Sequence, residues 1–381
     1  YWKNTIIPTI QSGKAKAVLD EKYAYPDRVG LCPGLSCNFF CSFCGRNYSA
    51  AYEKEVGEKG FEMFKQIIDQ TPKGVNKEKV YHITGGLEPL AFPRIGDLIT
   101  YGEKAGFTME MQTSGFFLTP DFIKKHPGIK DLSILRFSLY GIDNESTVEV
   151  TKNKKAYDVV KENLIDYLKL NTKTKLGLNY VILHKRTKDV LKLLDFIEEV
   201  NIKSNNQVDF LTLREDFREG AENILGEERK EIYNIFNDIQ KRLESKNLNK
   251  LHIDYGYALE SIRKNQNSYQ QPLKKVDYKQ LRPKIFPQIA VMVDPKGDVY
   301  AYHEATFLDR EGSERYSIGI VDKEHSMEDI VKEFVENSDG ITEPLPHDVD
   351  YLDAFDYVIT VFLNQAEEDI KFGIPWSKGP I

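Results

Sequence analysis

No apolar run in the chain approaches the roughly 20 residues that a membrane-crossing helix needs, and no signal peptide is visible at its N-terminus. Cysteine is scarce, with four in 381 residues. That excludes a disulfide scaffold, which belongs to small secreted domains dense in cysteine. An excess of positive charge is missing too: 52 Lys and Arg against 59 Asp and Glu leave −7. An acidic balance disfavours non-specific nucleic-acid binding, although it leaves room for a local basic pocket. Tandem repeats and low-complexity tracts are absent, which excludes a repeat array. What remains is a soluble globular profile, 41% hydrophobic and 29% charged, long enough for one large core plus an appendage. Reduced cysteines without an export signal point to the cytoplasm.

Three of the four cysteines stand within eight residues, Cys37-Asn-Phe-Phe-Cys41-Ser-Phe-Cys44, a C-x3-C-x2-C spacing. Three thiolates on one tight loop can hold three irons of a cubic four-iron cluster, whose full ligation needs four. The fourth iron is then open to a small molecule, because no cysteine follows in the chain. Radical chemistry with S-adenosylmethionine (SAM) is one chemistry that uses such a cluster. Zinc is a poorer match, since it wants four ligands and only Cys41 and Cys44 form a C-x2-C pair. Cys32, in Gly30-Leu31-Cys32-Pro33-Gly34, reads either as a small packed residue at a strand end or as a fourth ligand. The second alternative would close the open iron.

Along the chain, apolar β-rich runs alternate with helical patterns. Strands are expected at Arg28–Cys32, Lys79–Thr84, Phe107–Thr113, Ile134–Leu139, Lys175–Leu183 and Val208–Leu213. Helices are expected near Gly60–Gln70, Ile95–Lys104, Asp121–Lys125, Lys155–Leu170, Val190–Val200 and Glu227–Glu244. Alternating elements imply βαβ units and a parallel sheet, and six units suit an open (βα)6 barrel with its site at the carboxyl ends of the strands. After Lys250, Pro287–Val293 and Val299–His303 flank Asp294-Pro295-Lys296-Gly297-Asp298, a hairpin signal. Helices near Ser326–Asn337 and Asp350–Ile370 follow. The expected fold is therefore α/β, a partial (βα)6 TIM-like barrel with a C-terminal α+β extension capping the open side. The organisation is an N-terminal segment 1–24, a core 25–249 and an extension 250–381.

The cysteine loop together with Thr84-Gly85-Gly86-Leu87-Glu88-Pro89 at the end of the second strand resembles the radical SAM superfamily. That resemblance covers roughly residues 25–245 and implies a [4Fe-4S] cluster on Cys37, Cys41 and Cys44, with SAM at the open iron. The superfamily usually has Gly-Gly-Glu where this chain inserts Leu87. Gly85 and Gly86 would let the backbone approach SAM, and Glu88 or a nearby carbonyl would take the methionine ammonium. Phe43 is expected near the adenine, Thr113 at the end of the third strand, and Ser138 at the ribose or carboxylate. Asn179 on the fifth strand and Arg186 beyond it complete the expected SAM contacts, the arginine fork suiting a carboxylate. A strand-to-loop turn for the glycines and surface or strand-end roles for the polar residues are the bland alternatives.

Further segments extend the resemblance over nearly the whole chain: Tyr1-Trp2-Lys3-Asn4-Thr5, Ser138-Leu139-Tyr140-Gly141, Leu251-His252-Ile253-Asp254-Tyr255-Gly256 and Gly297-Asp298-Val299-Tyr300. They are similar to radical SAM lyases that act on nucleotide-linked amino deoxysugars. The resemblance implies hydrogen abstraction from C3 of the sugar by a 5′-deoxyadenosyl radical, then loss of ammonia from C4. Arg214 and Arg282 would meet the substrate diphosphate, while Asp254, Tyr255, Tyr302 and Glu304 would hold the amino sugar. No residue is assigned a catalytic role. A flavodoxin- or ferredoxin-type electron donor is expected, with no nucleic-acid or membrane partner. Two rivals stay open: another radical SAM reaction (dehydration, dehydrogenation or decarboxylation) on a related nucleotide sugar or nucleoside, and an iron–sulfur electron-transfer or sensing protein.

Overall fold

The computed structural model describes residues 5–41, 44, 50–183, 186–215, 229–264, 284–308, 310–337 and 351–373. The fold divides into two compact units, residues 38–44 with 111–273, and residues 3–37 with 45–110 and 274–381. Mostly parallel strands and intervening helices make the chain α/β.

The unit of residues 111–273 carries β3 (Glu110–Thr113), β4 (Ile134–Leu139), β5 (Lys175–Ile182), β6 (Phe210–Glu215) and β7 (His252–Tyr255), adjacent in that order. The pairs β4–β5, β5–β6 and β6–β7 are parallel. Period-two alternation builds them: Leu135, Phe137 and Leu139 are buried, while Ile134, Arg136 and Ser138 on the other face are only half-buried. Between the strands run α5 (Pro120–Lys125), α6 (Asn144–Thr151), α7 (Ala156–Lys169), α8 (Asp189–Ser204), α9 (Arg229–Arg242) and α10 (Tyr257–Arg263).

The second unit carries α1 (Ile7–Gln11), α2 (Gly13–Leu19), β1 (Arg28–Leu31), α3 (Lys54–Asp69), β2 (Tyr81–Ile83) and α4 (Ile95–Lys104). After residue 283 it adds β8 (Ala290–Val293), β9 (Asp298–Tyr300), β10 (Ser317–Ile320), α11 (Met327–Asn337) and α12 (Ala354–Lys371). β1 lies between β2 and β8, parallel to both, and β9 and β10 continue antiparallel from β8. The segment after Lys250 therefore contributes β7 beside β6 and the β8–β9 hairpin beside β1. That hairpin is the one its turn residues announce.

Helix α3 begins at Lys54, earlier than the expected Gly60. Its two glycines are packing residues rather than a start signal. A Cβ at Gly57 would lie 2.9 Å from Pro93 and one at Gly60 2.9 Å from Pro295, so both let the helix come close to its neighbours. Helix α6 was not expected, because its Ser-Thr-Val-Glu-Val-Thr run favours a strand. A capping box decides for helix: the Asp143 carboxylate accepts from Ser146 N–H at 2.8 Å, and Ser146 Oγ accepts from Asp143 N–H at 3.2 Å.

The hairpin turn holds a buried carboxylate. Asp294 Oδ1 accepts from the N–H groups of Lys296 (2.8 Å) and Asp298 (3.0 Å), and Oδ2 accepts from the Tyr52 hydroxyl at 2.9 Å. Burial, then the nearby Asp298 charge, push its carboxyl up to about 6. The folded form therefore binds this proton more tightly than the unfolded chain does. Stability falls as pH rises from the ordinary carboxylate range through about 6, a loss on the order of 3 kcal/mol. Asp294→Asn keeps the acceptors for Lys296 and Asp298 and lets Nδ2 donate to Tyr52. Thermal melts should show this variant more stable at pH 7 and without the wild-type decline between pH 4 and 6.

Candidate active site

Residues 38–44 of the cysteine loop are anchored within their own compact unit. Phe40 N–H donates to the Thr151 carbonyl at the end of α6 (2.9 Å), and the buried Phe39 ring stands edge-on to Phe116 and Tyr140. Cys44 N–H donates to the Cys41 carbonyl at 3.0 Å, which folds the C-x2-C half into a tight turn. Cys41 is buried, and Cys37 and Cys44 are partly exposed. Phe43 lies outside the described residues.

Upstream of Cys37 the chain is stapled to the glycine motif. Glu88 N–H donates to the Ser36 carbonyl at 3.0 Å. Gly34 presses so closely on the motif that a Cβ there would stand 2.5 Å from the Leu87 carbonyl group. Gly85 and Gly86 have φ of +78° and +57°, the left-handed region that glycine enters without penalty. Glu88 is buried and accepts from Leu90 N–H at 3.2 Å, capping the 3₁₀ turn Pro89–Ala91. Its carboxylate thus holds the motif's own backbone.

Cys32 packs. Its Sγ faces the Gly30 carbonyl at 3.7 Å, and a Cβ on Gly85 would lie 3.0 Å from that sulfur. Burial, with the Asp294 charge nearby, pushes its thiol well above the usual range, away from the thiolate that ligation requires.

The inner face of the other unit is a polar ladder. Ser138, Asn179, Thr212 and Asp254 are register partners on four successive strands, so their side chains share one side of the sheet. Gln112 on β3 joins them, its Nε2 donating to Ser138 Oγ at 3.2 Å. Asn179 is 7% exposed, and among the described residues neither end of its amide finds a hydrogen-bond partner. A buried amide in that state marks a place for a ligand or water. One rung below, the Arg136 guanidinium lies 4.6 Å over the Phe210 ring and donates to Thr212 Oγ1 at 3.3 Å. Phe210 crosses β5 above Gly177, where a Cβ would sit 2.0 Å from the ring. Arg214 follows one rung above Thr212, on the same face by alternation.

Other expected contacts are placed elsewhere. Thr113 alternates with Gln112, is buried and accepts from Gly115 N–H at 3.0 Å. Arg186 is ion-paired with Glu149. Tyr255 points away from Asp254, edge-on to Phe236 at 5.2 Å, and burial pushes its phenol up to about 12. Tyr302 is fully buried, and its hydroxyl donates to the Lys284 carbonyl at 2.7 Å, so it is core. Glu304 is paired with Arg310 at 2.8 Å. Arg282 lies outside the described residues. Gln112, Thr212 and Arg136 were missed; Thr212 and Arg136 stand two residues from Arg214 and Ser138, the signal available, whereas Gln112 adjoins Thr113 and is revealed by its contact with Ser138.

The Radical SAM superfamily model matches residues 31–197. Over its whole length the chain is 37% identical to the dTDP-4-amino-4,6-dideoxy-D-glucose ammonia-lyase of Streptomyces venezuelae, spanning 78% of that protein. The chain belongs to the radical SAM superfamily. Solved structures share the fold. The Streptococcus suis SuiB structure bound to precursor peptide SuiA has a TM-score of 0.54 at 13% identity, covering 88% of this chain and 69% of that one. Native anSMEcpe with bound AdoMet has a TM-score of 0.52 at 14% identity, covering 85% and 82%. In another SuiB crystal structure the match spans 62% of that chain. These likenesses support the partial-barrel reading of the α/β fold.

The family's cofactors, a [4Fe-4S] cluster and SAM, are accordingly those of this protein. The donor set fits: three cysteines share one short loop, and the fourth is buried as a thiol. Among the described residues no three His, Cys, Asp or Glu side chains are placed to hold a single metal ion. Cluster ligands each bind a different iron, so they need not converge as the ligands of one ion do. Among the described residues no helix is long and apolar enough to cross a membrane.

Proposed function

We propose that the protein is a radical SAM ammonia-lyase that removes the C4 amino group of a nucleotide-linked amino deoxysugar. The observation that carries this reading is the full-length 37% identity to a lyase named for dTDP-4-amino-4,6-dideoxy-D-glucose. When loaded, the reduced cluster and SAM supply a carbon radical that takes a hydrogen atom from the sugar. For the sugar the change is redox-neutral: C3 becomes a ketone, and C4 exchanges ammonia for hydrogen.

The chain's residues bind and orient. Cys37, Cys41 and Cys44 hold the cluster. The family resemblance assigns SAM contacts to the Gly85–Glu88 backbone, Phe43, Ser138 and Asn179, and the Asn179 amide offers both a donor and an acceptor to a hydroxyl. Asp254, at the end of the ladder, supplies the negative charge that a substrate ammonium needs. Arg214 and Arg282 take the diphosphate. An electron donor of flavodoxin or ferredoxin type, in the cytoplasm, reduces the cluster.

The test is anaerobic. Reconstituted, reduced protein receives SAM and dTDP-4-amino-4,6-dideoxy-D-glucose, and 5′-deoxyadenosine, ammonia and the sugar are followed by mass spectrometry. Ammonia and a keto sugar in equal amounts support the lyase. Deoxyadenosine with an oxidised or dehydrated sugar instead moves the assignment to another radical SAM reaction. Absence of SAM cleavage overturns it. Within the ladder, Asn179→Leu removes an unpartnered amide at similar volume, so Tm should hold or rise while turnover falls about tenfold to a hundredfold. Unchanged turnover would place the ladder outside the site.

A further inference from the structure

We infer that the end of helix α6 and the first half of the cysteine loop form the docking surface for a small acidic protein that delivers the electron to the cluster. This rests on the reading that the cysteine loop holds a reducible cluster.

The link between the two segments is the hydrogen bond from Phe40 N–H to the Thr151 carbonyl at 2.9 Å. Phe40 directly precedes the cluster ligand Cys41 and is 37% exposed, one of few large hydrophobic side chains at the surface. The residue bonded to Thr151 opens a basic run, Lys152-Asn153-Lys154-Lys155. All three lysines are exposed, and among the described residues none is in an ion pair. Lys152 Nζ bonds the Glu149 carbonyl at 2.7 Å, which leaves its charge uncompensated. The nearby carboxylate of Glu149 is taken by Arg186, and that of Asp158 accepts from Asn144. Many other surface lysines do pair, among them Lys16, Lys65, Lys124, Lys161 and Lys203.

The chain as a whole is acidic, at −7. An unneutralised positive run fixed beside a cluster ligand therefore stands against its background. Lys152 itself has φ of +60°, a left-handed position where glycine or asparagine is the usual choice.

An acidic redox partner suits this surface. Opposite charge steers encounter and orientation, and one exposed ring gives a small apolar centre, as in the small, transient interfaces of electron-transfer pairs. The step moves no atom. The donor is oxidised by one electron and the cluster reduced by one, with the donor held where Cys41 is the nearest ligand along the chain. A structural explanation also exists, because cations near a helix C-terminus favour its dipole. The experiment separates the two.

The triple variant K152E/K154E/K155E is compared with wild type as reconstituted holoenzyme. 5′-Deoxyadenosine formation is measured with dithionite and with an acidic flavodoxin kept reduced by its reductase. Flavodoxin affinity is measured separately by titration. The dithionite rate should be unchanged. With flavodoxin the KM for the donor should rise about tenfold or more, the dissociation constant should weaken in parallel, and the steep salt dependence of wild type should disappear. Equal loss with both reductants, unaltered flavodoxin affinity, or capture of wild type by phosphatidylserine vesicles but not by flavodoxin overturns the inference. A holoenzyme that retains flavodoxin binding at these lysines yet never cleaves SAM supports the docking surface while overturning the enzymatic reading.

Discussion

Alanine at Cys37, Cys41 or Cys44 should abolish SAM cleavage and remove most of the bound iron, whereas Cys32→Ala should keep both. The two outcomes have different physical origins. The loop cysteines occupy a segment with no fourth thiol in reach of substitution. Cys32, the remaining cysteine, sits in the packed end of β1, 3% exposed, its sulfur against Gly30 and Gly85. A buried, protonated thiol is a small hydrophobe, and trimming it to alanine costs about 1 kcal/mol of packing. Iron and sulfide analysis with anaerobic SAM cleavage on the four variants checks this. Wild-type iron in any loop variant, or iron loss in Cys32→Ala, would reverse the ligand assignment.

Gly34→Ala should break the attachment between the segment that leads into Cys37 and the glycine motif. The new methyl would meet backbone on two residues, 2.5 Å from Leu87 and 2.9 Å from the Glu88 carbonyl carbon. Backbone cannot swing aside as the end of a side chain can. Either Pro33–Ser36 or Leu87–Glu88 must therefore move, and the Glu88–Ser36 hydrogen bond goes with it. Overpacking of this kind costs roughly 1–3 kcal/mol. The expected result is a lower Tm, iron content close to wild type and SAM affinity reduced at least about tenfold, which is roughly the 1.4 kcal/mol that a misplaced cradle forfeits. Gly13→Ala, where a Cβ meets nothing within 4 Å, is the matched control. Equal SAM affinity in the two variants would show that the motif does not depend on the staple.

Strand and helix identity in the core was legible because burial follows period: β4 and α4 end where the apolar pattern ends. What escaped was settled by contacts that no local pattern carries. The glycines inside α3 resemble a helix boundary until Pro93 and Pro295 are seen against them. The β-branched run of α6 is helical because a cap outweighs propensity. At the site, the cysteine spacing and the glycine motif were readable, but face assignment was not applied strictly. Asp254 and Tyr255 cannot point the same way along one strand, nor can Gln112 and Thr113. In each pair the residue on the ladder is the one aligned with Ser138, and only register reveals that. Tyr302 shows the opposite failure, a polar aromatic whose hydroxyl is spent on a core carbonyl.

The pairing of Val29 with Val291 also sets an order on biosynthesis. Strand β1, which leads into the cysteine loop, emerges from the ribosome long before β8, its partner on one side. Until β8 arrives, that edge stays bare and the thiols that follow it stand on an unfinished support. Pairing between such distant segments is intrinsically slow, and an unpaired strand edge invites other chains. Cluster assembly on a nascent chain should therefore lag completion of the C-terminal hairpin, and expression in air should lose more protein to aggregation and thiol oxidation than the stability of the finished fold would indicate.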